Sequence, residues 1–234
     1  MTKARDTANL TGSGVTLPLL DIDAGTDIGA ALVDADLMIV DDGAGGTNRK
    51  ATMSRLATYM GTKIGGGLEF IASTDASSSA ALAFTGFDSS KYDSYLFTLA
   101  NILPATDAQY LRVRLSVDGG SNYLSASDSY TVAASGAVSA GDSTYIGIGY
   151  YNAGNAAADA GISGYTRIIG PHLNVPTYVS SNGVQTRGNS VVEINKGDGA
   201  GKTKVATVVN AAQFSFTSGN IASGTITMYG LVNS

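Results

Sequence analysis

The chain has 234 residues, no cysteine and a formal net charge of −5, with only 14% of its residues charged. No disulfide or thiolate metal site can form without cysteine, and the 14 lysines and arginines are scattered, so there is no basic stripe of the kind nucleic-acid binding needs. The length suits one large β domain, or a small domain beside a medium one.

Glycine, alanine, serine, threonine and asparagine take the place of the missing charge. That composition suits short strands joined by tight turns, and surfaces that meet other subunits, where desolvating charge is costly. The opening "MTKARDTANLTGSGVTLPLL" lacks the apolar core of a secretory signal. No stretch reaches the roughly 18 consecutive apolar residues of a membrane span. The expectation is a chain made and assembled in a reducing cytoplasm, without cleavage or membrane insertion.

Residues 1–29 are polar and turn-rich and read as an extended segment with little support of its own. Within them "DIDAGTD" (21–27) invites a calcium reading, but a calcium loop needs Gly at its sixth position and Glu at its twelfth. Thr26 and Leu32 stand there, so an Asp-rich turn is the better account. "DLMIV" (36–40) reads as a strand and "DDGAGGTN" as a loop, with Thr47 or Asn48 placed to cap a helix. Met53, Leu56, Ala57 and Met60 then fall on one helical face, and Gly61 sits where a helix stop belongs. A strand and one short helix bury too little to stand alone. Leu37, Ile39, Met53, Leu56 and Met60 are therefore the candidate docking or oligomerisation residues of a segment spanning 1–64.

Gly65, Gly66 and Gly67 form a candidate hinge, and beyond it the pattern changes to period two. Residues 68–74, 95–102, 110–117, 143–150, 189–195, 203–209, 212–218 and 224–232 read as strands. In "YLRVRLSV", Leu111, Val113, Leu115 and Val117 share a face, with Arg112 and Arg114 opposite. Such strands, separated by turns like "VDGGSN" (117–122), predict an all-β antiparallel sandwich of jelly-roll type over 68–234. "NAGNAAADAG" (152–161) reads as an irregular loop.

"NKGDGAGKTKV" (195–205) tests for a nucleotide-binding phosphate loop, G-x-x-x-x-G-K-[ST]. Counting back from Gly201-Lys202-Thr203 puts the first glycine at 196, where Lys196 stands. The following "TKVATVV" reads as a strand, whereas a phosphate loop opens a helix. "KGDGAG" is expected to be the turn of a hairpin between 189–195 and 203–209.

Residues suited to catalysis are few. His172, in "IIGPHLNVP", is the one histidine and reads as a loop residue between two strands; Glu69 and Glu193 are the only glutamates and sit in expected strands. A depolymerase would need two juxtaposed carboxylates beside a groove. No enzyme and no cofactor is expected. Of the 12 tyrosines, Tyr145, Tyr150 and Tyr151 crowd one expected strand, with Tyr165 shortly after. Alternation puts Tyr145 and Tyr151 on one face and Tyr150 on the other. Core or interface packing is the plain reading of these rings; Tyr150, Tyr151 and Tyr165 are the candidates for stacking a sugar.

Asp34, Asp36, "LMIV", Asp41-Asp42-Gly43, Arg49-Lys50 and "LATYM" follow one another over residues 34–60. In that order they resemble the N-terminal parts of tail-fibre and virion proteins of tailed bacteriophages. "SGTITMYGLVNS" and "YDSYLFTLANILPATDAQYLRVRLSVDGGSNY" are similar, more loosely, to β domains of phage structural proteins. The resemblance implies a virion component assembled in the host cytoplasm and commonly homotrimeric. Its N-terminal segment would dock on other tail or baseplate proteins, and its β domain would face outward; one reading of that domain is host attachment through a bacterial surface glycan. With no repeats and no shaft, the chain suits a short fibre or a baseplate piece. The alternative is a purely structural adaptor or capsid decoration protein without receptor binding.

Overall fold

Val33 donates its amide to the Asp36 carboxylate at 2.8 Å, and Asp36 returns its own amide to the Val33 carbonyl at 3.0 Å. This turn leads into a hairpin of β1 (Leu37–Asp41) and β2 (Asn48–Thr52), paired antiparallel from Leu37↔Thr52 to Asp41↔Asn48. Helix α1 (Met53–Lys63) follows at once. Its first amides, from Met53 and Ser54, donate to the carbonyls of Asp36 and Asp34 at 2.9 and 3.3 Å. Backbone from the lead-in thus satisfies amides that would otherwise need a side-chain cap. Asn48 belongs to β2 and not to a helix cap, and α1 runs through Gly61 to Lys63; Thr47 lies outside the described residues. The computed structural model describes residues 27–41, 48–63, 67–133, 140–148, 152–156, 161–188 and 194–232. The chain divides into two compact units, Met1–Lys63 and Ile64–Ser234.

The second unit is an all-β antiparallel sandwich. Its strands are β3 (Leu68–Asp75), β4 (Leu82–Phe84), β5 (Tyr92–Pro104), β6 (Leu111–Ser116), β7 (Tyr130–Ala133), β8 (Ala140–Ser143), β9 (Ile146–Gly147), β10 (Ile162–Ile169), β11 (Tyr178–Thr186), β12 (Ile194–Thr203), β13 (Ala211–Phe216) and β14 (Ile221–Val232). One sheet has eight strands in the order β3-β14-β5-β10-β11-β12-β7-β8, and the other has four, β4-β13-β6-β9. The chain passes between the sheets again and again, so each sheet is completed by distant sequence. Alternation explains the core: Tyr95, Phe97 and Leu99 of β5 point inward, as do Leu111, Val113 and Leu115 of β6. Phe97 packs against Phe84 and Phe214 of the opposite sheet, with ring centroids 5.3 and 5.0 Å away.

Several expected boundaries move. The glycine-rich "KGDGAGKT" is the body of β12, paired with β11 from Thr186↔Ile194 to Tyr178↔Lys202, and not a hairpin turn. No strand covers 204–210; these residues connect β12 to β13. The expected strand over 143–150 is broken at Thr144–Tyr145, where the chain leaves β8 in one sheet for β9 in the other. Val117 lies past the end of β6 and is exposed, so it does not share the inward face of Leu115. The expected list of strands lacked β4, β7, β10 and β11. His172 does lie in the turn between β10 and β11, and the described parts of 152–161 are irregular apart from isolated bridges at Ala153.

Candidate binding face

The inner face of the eight-stranded sheet makes the core, and its outer face would ordinarily be polar. Here the outward residues stand in rows set by strand register. One row crosses all eight strands as Leu68, Leu231, Ser94, Ile169, Tyr178, Lys202, Thr131 and Asp142, each the partner of the next. The second runs Phe70, Tyr229, Leu96, Arg167, Ser180, Ala200 and Ala133. The third runs Ser73, Thr227, Thr98, Tyr165, Asn182 and Asp198. Bulky apolar side chains crowd the β3–β14–β5 half, and small ones line the β11–β12–β7 half.

The apolar half is open to solvent. Phe70 is 60% exposed and Leu68 55%, and Phe70 meets Tyr229 edge-on with centroids 6.2 Å apart. A depression of about 360 Å³ lies beside them, walled by Leu68, Leu96, Tyr165, Arg167 and Leu231. On the small-residue half a second depression, of about 440 Å³, has Ala133, Ser180 and Ala200 as its floor, with Ile169, Tyr178, Lys202 and Thr131 around it. Tyr178 is 55% exposed there, and the Lys202 ammonium lies 5.9 Å from its ring centroid, within cation–π reach.

The electrostatics of this face come from its pairings. Asp142 is held by Lys204 at 2.7 Å, and Asp198 accepts from the Asn182 amide. Lys202 and Arg167 have neither ion pair nor hydrogen bond among the described residues. At the β3 edge, Lys91 meets Glu69 at 2.6 Å; this contact lowers the Glu69 carboxyl and raises the Lys91 ammonium from their ordinary values.

Of the residues singled out from the sequence as sugar-stacking, Tyr165 is on this face, 47% exposed beside the first depression. Tyr150 and Tyr151 lie outside the described residues. Tyr145 is on the other sheet's side, with the Arg112 guanidinium 5.6 Å from its ring. Burial, then the charge of Arg114, lowers the Arg112 pKa. Tyr178 was missed because "NVPTYVSSNGVQT" shows little apolar alternation. In the first unit, Leu37 and Ile39 occupy one face of β1 and are exposed, as is Met60, while Met53 and Leu56 are half-buried. Glu193 falls outside the described residues. His172 Nε2 stands 3.6 Å from Asp93, and its Nδ1 is buried without a partner among the described residues. No group of three or more His, Cys, Asp or Glu that could hold a metal ion occurs among the described residues. No helix there is long and apolar enough to cross a membrane. No protein-family model matches the chain, and no curated protein or solved structure is significantly similar to it.

Proposed function

We propose that this chain is a structural protein of a tailed-phage particle, a short tail fibre or baseplate component. In this reading the first unit docks on other virion proteins and the sandwich faces outward for host attachment. The observation that carries it is the outer face of the eight-stranded sheet, where Leu68, Phe70, Leu96, Tyr229 and Leu231 form a contiguous apolar band. Contiguous apolar surface on a folded domain marks a contact surface. Leu37, Ile39 and Met60 add exposed apolar side chains in the first unit, and the resemblance over residues 34–60 supplies the virion setting. The reading is non-enzymatic and needs no cofactor.

The test is the mass of the purified full chain by light scattering, beside a fragment that starts at Leu68. A trimer for the full chain is expected, and the fragment shows which unit brings the copies together. Clean monomers of both would overturn the homotrimer. They would favour the adaptor or decoration role, in which the apolar band meets a different virion protein.

A further inference from the structure

We infer that the depression floored by Ser180 and Ala200 is a binding site for a carboxylated sugar. This deepens the host-attachment reading and rests on it for the biological source of the ligand. The first argument is shape. Register places Tyr178 beside Lys202 and Ile169, with Ser180 and Ala200 in the next row. Side chains this small leave a shallow bed of about 440 Å³ against the exposed Tyr178 ring, within the usual range for small-ligand sites. A pyranose has one C–H face that stacks on such a ring and a rim of hydroxyls. The hydroxyls of Tyr178, Ser180 and Thr131 have no hydrogen bond among the described residues, so each is free to pair with that rim.

The second argument is charge. The chain carries a net charge of −5, yet two cations beside this depression, Lys202 and Arg167, have no ion pair among the described residues. Of the nearby carboxylates, Asp142 is paired with Lys204, while Asp198 accepts from the neutral Asn182 amide and keeps its charge at the next outward position beyond Ala200 on β12. Lys202 and Arg167 lie two strands and two residues apart, about 12 Å between Cα atoms from ordinary sheet spacings. They stand on either side of Ser180. A neutral sugar would leave both cations without an anion. A carboxylate on a ring stacked against Tyr178 is met by Lys202, and one on a neighbouring ring by Arg167, whose planar fork suits two-point pairing.

The experiment is calorimetric titration of the full chain with glucuronate-, galacturonate- and N-acetylneuraminate-containing oligosaccharides. Each is paired with its carboxyl-reduced counterpart, and a hexaglutamate peptide is run alongside. Saturable binding of at least one carboxylated sugar is expected, lost on reduction of the carboxyl. It should weaken about tenfold in Tyr178→Ala, from the lost ring contact, and about three- to tenfold in Lys202→Gln or Arg167→Gln, from the lost charge-assisted hydrogen bonds. Tyr145→Ala, in the link between β8 and β9 beside Arg112, should leave it unchanged. All four positions are outside the core, and circular dichroism verifies that each variant is folded. The inference is overturned if no carboxylated sugar binds above its reduced counterpart, if Lys202→Gln and Arg167→Gln bind as well as the parent chain, or if only the peptide binds. Light scattering of the parent chain is independent of all these outcomes, so an assembling protein that binds no acidic sugar would refute the site and leave the virion role standing.

Discussion

The buried hydroxyl of Tyr130, on β7, accepts a hydrogen bond from the Leu115 amide of β6 at 2.8 Å and donates one to the Leu124 carbonyl at 3.2 Å. A side chain of the eight-stranded sheet thereby ties down the backbone of the four-stranded one. Tyr130→Phe keeps the ring and strands the Leu115 amide in a dry interior. The expected cost is about 1–3 kcal/mol, read as a lower urea midpoint at unchanged m-value.

The same burial sets an alkaline limit. Burial pushes the Tyr130 and Tyr95 hydroxyls up to about 12, while the unfolded chain ionises near pH 10. Above pH 10 the unfolded state loses protons that the folded state keeps, so stability is full below pH 10 and falls as pH rises toward 12. Each tyrosine contributes a slope of about 1.4 kcal/mol per pH unit. Urea unfolding at pH 9, 10 and 11 checks this, and Tyr130→Phe should remove about half the slope.

Glycines decided which parts of this fold were legible in the sequence. Strands whose inward positions carry large apolar side chains, such as β5, β6 and β13, declare themselves by alternation. The inward positions 199 and 201 of β12 are glycine, because β9 of the opposite sheet presses close: a Cβ on Gly201 would stand 2.9 Å from the Ile146 side chain. A strand stripped of side chains for close approach reads as a turn. Within the sheet, a Cβ on Gly164 of β10 would strike the paired β11 backbone at Asn182 and Gly183, and glycine interrupts the alternation there as well. The candidate binding face was only partly legible, since it depends on neighbours from eight strands far apart in sequence. Tyr165 could be singled out for its ring, but nothing local placed Tyr178 next to Lys202.

Gly199→Ala tests that account of β12. The added methyl would stand 2.6 Å from Ser181 Oγ and collide with the Gly147 backbone, so β9 and β12 must part. Overpacking of this kind costs about 1–3 kcal/mol. Outward Ala200→Ser, one position along, should change stability by less than about 0.5 kcal/mol. Equal effects from the two changes in thermal melts would refute the close approach.

Asp118 organises the turn after β6. Its carboxylate accepts from the Asn122 amide and side chain, each at 2.8 Å, and from Ser116 Oγ at 2.7 Å. These bonds, the Asn122 backbone contact foremost, lower its pKa to about 2. The stabilisation is present above the unfolded value near 3.9 and is lost as pH falls through about 2. A carboxyl-carbon NMR titration should find that midpoint. Asp118→Ala should speed amide exchange at Asn122 while leaving the core amides protected.

The apolar band makes the sharpest prediction about assembly. Phe70 and Tyr229 are adjacent on the outer face, and Phe70 is 60% exposed, so within one chain the Phe70 ring gains little from folding. Phe70→Ser should therefore shift unfolding by less than about 1 kcal/mol. If the band is where copies or partner subunits meet, the ring is desolvated only on association, and aromatic residues at the centre of interfaces carry about 2 kcal/mol or more. Association should then weaken by at least about tenfold, seen as dissociation at higher protein concentration in a light-scattering dilution series. A variant that stays as stable and as strongly associated as the parent places the subunit contact elsewhere. Leu37 and Ile39 of the first unit would be the next residues to replace.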